Sequence, residues 1–148
     1  PHPYLDMRFP TVSDASLAPE NCQLMSVTVK YAPYQLRYAD WEVQREALGD
    51  AVLDTLAQYA PNVRGSILHM QVLTPSDMEL AYGLSEGDPN HGEMTLDQFF
   101  HMRPLPGYAR YRTPVAGLWL CGAGTHPGGG VTGLPGKNAA REVLSAIG

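Results

Sequence analysis

The sequence predicts an α+β chain: a mixed sheet with packed helices over residues 1–112, then a separate βα unit over residues 113–148. Three patterns carry that expectation. Residues 24–31 alternate, with Met25, Val27, Val29 and Tyr31 on one face and Ser26, Thr28 and Lys30 on the other, which is the period of a half-buried strand. Residues 40–60 bring Trp41, Leu48, Val52, Leu56 and Tyr59 round at three-to-four-residue spacing, the period of a helix. Near the end, the compact apolar run Leu118–Cys121 meets a loop with six glycines between Gly122 and Gly133, and a helical-period tail follows.

Taken in order, Tyr4–Phe9 reads as a strand that Pro10 and the polar run Ser13–Ser16 break. Pro33 ends the second strand. Asp40 is placed for its carboxylate to take the first free N–H groups of the helix, Gly49 costs that helix about 1 kcal/mol against alanine, and Ala60-Pro61 stops it. Ile67–Leu73 reads as a third strand, and Thr74-Pro75-Ser76-Asp77 as the start of a short helix, with Thr74 as cap and Gly83 and Gly87 close behind. Ser85–Pro106 is irregular apart from a helical turn at Leu96–Met102. The last helix carries Ala139, Ala140, Val143, Leu144 and Ile147. There is no internal repeat.

A chain of 148 residues makes one domain or two small lobes. With 10 Lys+Arg against 15 Asp+Glu, the net charge is −5 and no basic cluster stands ready for a phosphate backbone, which argues against nucleic acid as a ligand. The 15 Gly and 13 Pro make it rich in turns, since average usage of the two is only about 12% together. No apolar run approaches the roughly 20 residues of a membrane span, and the N-terminus lacks a signal-peptide layout. The expectation is a soluble, cytoplasmic protein, or one of an organellar matrix in a eukaryotic cell. Cys22 and Cys121 match no metal spacing and suit buried thiols in a reducing compartment. The opening Pro1-His2-Pro3, with a first methionine at Met7, reads as part of something longer.

The histidines His2, His69, His91, His101 and His126 show no ligand spacing, so no metal is expected. His91-Gly92-Glu93 matches half of a zinc deaminase signature, but no PCxxC follows and that reading fails. Glu93 and Asp97 read as a solvated face, and Arg110, Arg112 and Lys137 as surface charges. Tyr31, Tyr34, Tyr38 and Trp41 suit an apolar channel and a packed core equally well.

Strand, glycine-rich loop and helix together aim free backbone N–H groups and the positive end of a helix dipole at an anionic or electron-rich ligand. Glycines let such a ligand approach the backbone. Gly128-Gly129-Gly130-Val131-Thr132-Gly133 satisfies GxGxxG formally, but the dinucleotide fingerprint also needs an acidic residue about 20 positions on, and 15 residues remain. Spacing alone leaves two readings open, a ligand loop and a plain strand-to-helix turn.

The fuller string Gly117-Leu118-Trp119-Leu120-Cys121-Gly122-Ala123-Gly124-Thr125-His126-Pro127-Gly128-Gly129-Gly130-Val131-Thr132-Gly133-Leu134-Pro135-Gly136-Lys137-Asn138-Ala139-Ala140 closely resembles the C-terminal flavin segment of phytoene desaturase-like and carotenoid isomerase-like FAD oxidoreductases. Upstream pieces such as Tyr31-Ala32-Pro33-Tyr34, Tyr59-Ala60-Pro61-Asn62, Leu73-Thr74-Pro75 and Tyr82-Gly83-Leu84 extend the resemblance over nearly the whole chain. The resemblance implies that Leu118–Cys121 is the last strand of an FAD domain and that the following helix, starting near Val131, points its N-terminus at the flavin. It implies FAD contacts from Gly122, Ala123, Gly124, Thr125, His126, Gly129, Gly130, Val131 and Thr132. For His126, shaping the loop ahead of Pro127 and proton transfer both stay open, and no catalytic base is named.

The family's N-terminal dinucleotide fingerprint is absent, so the chain resembles a C-terminal part, with residues 1–112 on the substrate side and 113–148 returning to the flavin. The implied partners are the missing N-terminal FAD-binding half, or further copies of the chain, and an apolar small-molecule substrate that loses or shifts hydrogen. The alternative from another class is a non-catalytic interaction or self-associating module that keeps the fold without flavin.

Overall fold

The computed structural model describes residues 2–148. They hold strands β1 (Tyr4–Arg8) and β2 (Ser26–Lys30) and helices α1 (Trp41–Ala57), α2 (Pro75–Tyr82) and α3 (Leu134–Ile147), joined by 3-10 turns and loops. The chain divides into two compact units, one ending at Ser76 and the other Asp77–Gly148. Helices and a small antiparallel sheet make it α+β, the class expected from the sequence.

In the first unit β1 and β2 pair antiparallel, with Tyr4 opposite Lys30 and Arg8 opposite Ser26. The alternation in β2 is the one its sequence shows: Val27 and Val29 are half-buried, while Ser26, Thr28 and Lys30 face solvent. Thr11 is buried in the connection, where its hydroxyl donates to Gln23 Oε1 at 2.5 Å and accepts from the Leu24 N–H at 3.3 Å.

Helix α1 carries the core of this unit, burying Trp41, Gly49, Leu53 and Leu56. Trp41 Nε1 donates to the carbonyls of Pro33 and Tyr34 at 3.1 and 3.0 Å, which ties the incoming loop to the first helical turn. Asp40 stands at the cap position, but its side chain makes no capping bond there; its backbone carbonyl accepts from Val43 and Gln44 instead. On the exposed side, Arg64 bridges Asp54 at 2.7 Å and Asp50 at 3.1 Å, hydrogen bonds that hold the guanidinium above its ordinary value, with Asp54 the larger cause.

Residues 67–73 are not the expected strand. They run without regular structure beside α1, where Arg45 Nη1 donates to the Val72 carbonyl at 2.8 Å. Met70 and Val72 lie against the α1 backbone at Gly49, Leu68 stays exposed, and the segment pairs with no strand edge. That packing also explains Gly49: a Cβ there would lie 3.0 Å from Met70 Cε and 3.1 Å from Val72 Cγ2, so the bare backbone lets the segment come close. The cost of that glycine in helix propensity is offset by this approach.

The second unit has little regular structure. Helix α2 begins at Pro75, as Thr74-Pro75 suggests, and 3-10 turns at Leu96–Gln98 and Phe100–Met102 stand where one helical turn was expected. Leu118–Cys121 is not a strand either. One antiparallel bridge pairs Arg112 with Trp119, and Leu118, Leu120 and Cys121 are exposed. The thiols depart from expectation in the same way: both are free, but Cys22 is half-buried and Cys121 exposed. No helix among the described residues is long and apolar enough to cross a membrane.

Candidate functional site

The glycine loop hangs from the turn that precedes it. Thr113 N donates to Leu118 O at 3.1 Å and Leu120 N to Tyr111 O at 2.7 Å, while the Thr113 hydroxyl donates to Leu118 O at 2.9 Å, closing residues 111–120 into a tight hairpin-like turn. The Arg112 guanidinium lies 4.7 Å from the Trp119 ring centroid, a cation–π contact, so Arg112 is more than a plain surface charge.

From Cys121 onward the backbone is held by side chains. Thr125, 2% exposed, folds back on Gly122, with both its N–H (3.1 Å) and its hydroxyl (3.0 Å) donating to the Gly122 carbonyl. Gly128 N donates to Thr125 O at 2.7 Å. Tyr111, itself buried, donates its hydroxyl to His126 O at 2.7 Å. Gly122 and Gly128 take φ of 106° and 101°, conformations closed to L side chains, and the His126–Pro127 peptide is cis.

The segment 90–94 walls one side of the loop. Asn90 Oδ1 lies where a Cβ on Gly129 would sit, and Met94 Cε is 3.0 Å from where one on Gly128 would be. Arg103, 1% exposed, spans wall and loop: Nε donates to Ala123 O at 3.0 Å, and Nη2 donates to the carbonyls of Asn90 and Gly92. Nothing in the local sequence marks Arg103, because its acceptors lie far along the chain at positions 90, 92 and 123.

The structure divides the residues expected to contact a cofactor. Gly122, Ala123, Gly124 and Thr125 line one open recess of about 220 Å³ together with His91, Leu120 and Cys121. His126, Gly129, Gly130, Val131 and Thr132 do not line it. Gly129 sits under Asn90, and Gly130, Val131 and Thr132 lie on the exposed run into α3. The helix starts at Leu134, three residues later than expected, since Val131 and Gly133 sit at φ of 57° and 70°, outside right-handed helix. Thr132 Oγ1 accepts from Leu134 N at 3.3 Å at that end.

Two buried polar atoms lack a partner among the described residues, Arg103 Nη1 and His126 Nδ1, and both belong to this region. An orphaned Arg103 donor, a His126 ring nitrogen able to donate or accept, and positive-φ glycines suit a polar ligand placed against backbone. The recess is smaller than the roughly 300–1,000 Å³ of ordinary cofactor pockets, so by size these residues fit one flank of a flavin and not the whole of it. No group of three or more His, Cys, Asp or Glu residues able to hold a metal occurs among the described residues.

The homologues of this chain are oxidoreductases of the pyridine nucleotide-disulfide and phytoene desaturase kind. Pyridine nucleotide-disulfide oxidoreductase domain-containing protein 2 of Rattus norvegicus is 43% identical to it over 144 residues, a match covering 96% of this chain and 25% of that protein. Phytoene desaturase (lycopene-forming) of Pantoea ananas is 33% identical over 141 residues, covering 95% of this chain and 28% of its own length. Phytoene desaturase (neurosporene-forming) of Cereibacter sphaeroides is 31% identical over 140 residues, covering 93% and 26%. The resemblance read from the loop residues is thus borne out, and the chain spans about a quarter of the length of the curated relatives it matches. No family model and no solved structure matches it.

Proposed function

We propose that this chain is the C-terminal, flavin-completing part of an FAD-dependent oxidoreductase of the phytoene desaturase-like kind, acting on an apolar small molecule. The observation that carries the reading is the similarity to such relatives along 93–96% of the chain, including the glycine loop. Residues 1–112 are assigned to the substrate side and 113–148 to the flavin side. FAD, when bound, supplies the acceptor for hydrogen removed or shifted as hydride. The chain's own part is to present the recess backbone of Gly122, Ala123, Gly124 and Thr125 to one edge of the cofactor, with His126, Gly129, Gly130, Val131 and Thr132, outside the recess, and the N-terminus of α3 assigned to a further part of it, where the helix end favours negative charge. Two free thiols suit the reducing cytoplasm or an organellar matrix.

The surface supports a chain completed by further polypeptide. It exposes 11122 Å², whereas even two independent folded domains of half its mass would together expose only about 8,900 Å². The same excess favours a second reading, a self-associating module without flavin.

A fluorescence-quenching titration with FAD separates the two. The chain is titrated alone and after mixing with a separately made dinucleotide-binding half from a relative. Quenching and a structured flavin spectrum only in the mixture support a split oxidoreductase. Absence of binding in both, with gel filtration showing an oligomer of the chain, moves the assignment to the self-associating module.

A further inference from the structure

Arg103 is a buried cation that lacks a buried anion. Its side chain is 1% exposed, every acceptor it reaches is a backbone carbonyl, and among the described residues no carboxylate forms an ion pair with it. Burying a guanidinium on such terms is costly, and the hydrogen bonds to three carbonyls offset that cost. What Arg103 holds is specific. One edge of the guanidinium fastens the Asn90 and Gly92 carbonyls, and Nε fastens Ala123. The bond to Ala123 falls inside the recess lining, between Gly122 and Gly124. The wall it fastens is the one packed against the loop glycines: Gly124 would bring a Cβ to 3.7 Å from His91 Cβ, Gly128 to 3.3 Å from Met94 Sδ, and Gly129 against Asn90.

We propose that Arg103 is the positioning residue of the glycine loop: it latches residues 90–94 to Ala123 and so sets the shape of the recess at residues 122–125 before any ligand arrives. The ligand's identity as a flavin rests on the function proposed above; the latch itself does not. Arginine suits the task because its rigid planar fork directs separate N–H groups at two segments, whereas an ammonium offers a single point of attachment with no fixed direction. The charge that stays uncompensated makes the latched loop more receptive to an electron-rich group than its neutral backbone alone.

The test is amide exchange by NMR on the 148-residue chain, parent, R103K and R103Q, without FAD. The Thr125 and Gly128 amides, both hydrogen-bonded within the loop, report on the latch, and amides of α1 report on general stability. In both variants Thr125 and Gly128 are expected to exchange about ten-fold faster or more, the equivalent of one lost hydrogen bond to a charged group, with α1 unchanged. Unchanged rates at Thr125 and Gly128 overturn the proposal. So does an equal acceleration in α1 or failure of both variants to fold, since Arg103 is then a general stability residue. If R103Q alone fails to fold, R103K decides by the same criterion.

A second arm measures FAD dissociation constants for the mixture with the dinucleotide-binding half. R103Q is expected to bind about ten-fold more weakly, with R103K recovering part of the loss through its retained charge. Equal affinity in all three overturns the latch as a determinant of the site. A parent that takes no FAD overturns the flavin reading, and the exchange arm still judges the latch.

Discussion

The two units are held together by different means. In the first, the core is carried by buried side chains of α1, Trp41, Leu53 and Leu56, and Gly49 lets Met70 and Val72 approach the helix backbone. In the second, α3 buries only Pro135 and Ala139, leaves Leu144 and Ile147 65% and 76% exposed, and contributes little core. Order there comes from side chains bonded to loop carbonyls, with Arg103, Tyr111, Thr113 and Thr125 each closing a stretch of irregular backbone. The contrast fits the ligand role proposed for the loop: backbone free to face a ligand is not used in a sheet or helix ladder, and side chains fix it from behind.

Single truncations therefore differ in their effect between the units. Leu53→Ala removes a side chain only 8% exposed and is expected to cost roughly 2–5 kcal/mol, read as a lower urea midpoint by NMR peak intensities of each unit. Tyr111→Phe deletes only the bond to His126 O and is expected to cost about 0.5–1.5 kcal/mol by the same measurement, with faster exchange confined to the loop. A Tyr111 effect equal to that of Leu53 breaks the comparison.

The smallest effect belongs to an exposed turn. The Ser16 hydroxyl at 2.6 Å, then its N–H at 3.0 Å, donate to Asp14 Oδ1 and hold that carboxyl below its ordinary 3.8. With the native value depressed, the turn's stabilisation is complete above the unfolded value and is lost as pH falls through the native one. NMR titration is expected to show the Ser16 amide shifting below pH 3.8, a shift that Asp14→Asn removes.

Much of the fold was legible because local patterns decide it. The alternation over residues 24–31 gave β2 and the spacing over 40–60 gave α1, each within a few residues of the observed ends. The apolar runs at 67–73 and 118–121 misled, since a strand exists only where another edge meets it, and these residues meet a helix and a single bridge instead. For the site, glycine chemistry pointed at the loop and the family resemblance pointed at FAD. Arg103 stayed invisible, because a latch is defined by carbonyls that tertiary structure gathers from positions 90, 92 and 123.

The wide solvent-facing surface of the chain also governs how its stability answers to temperature. Heat capacity of unfolding grows with the apolar area newly wetted, and a chain already wet over 11122 Å² has less of it left to wet. Its free-energy curve is accordingly flat, with a broad, shallow maximum and little enthalpy gathered at any one melting point. Covering those faces would steepen the curve, because unfolding would then wet apolar area that is buried beforehand.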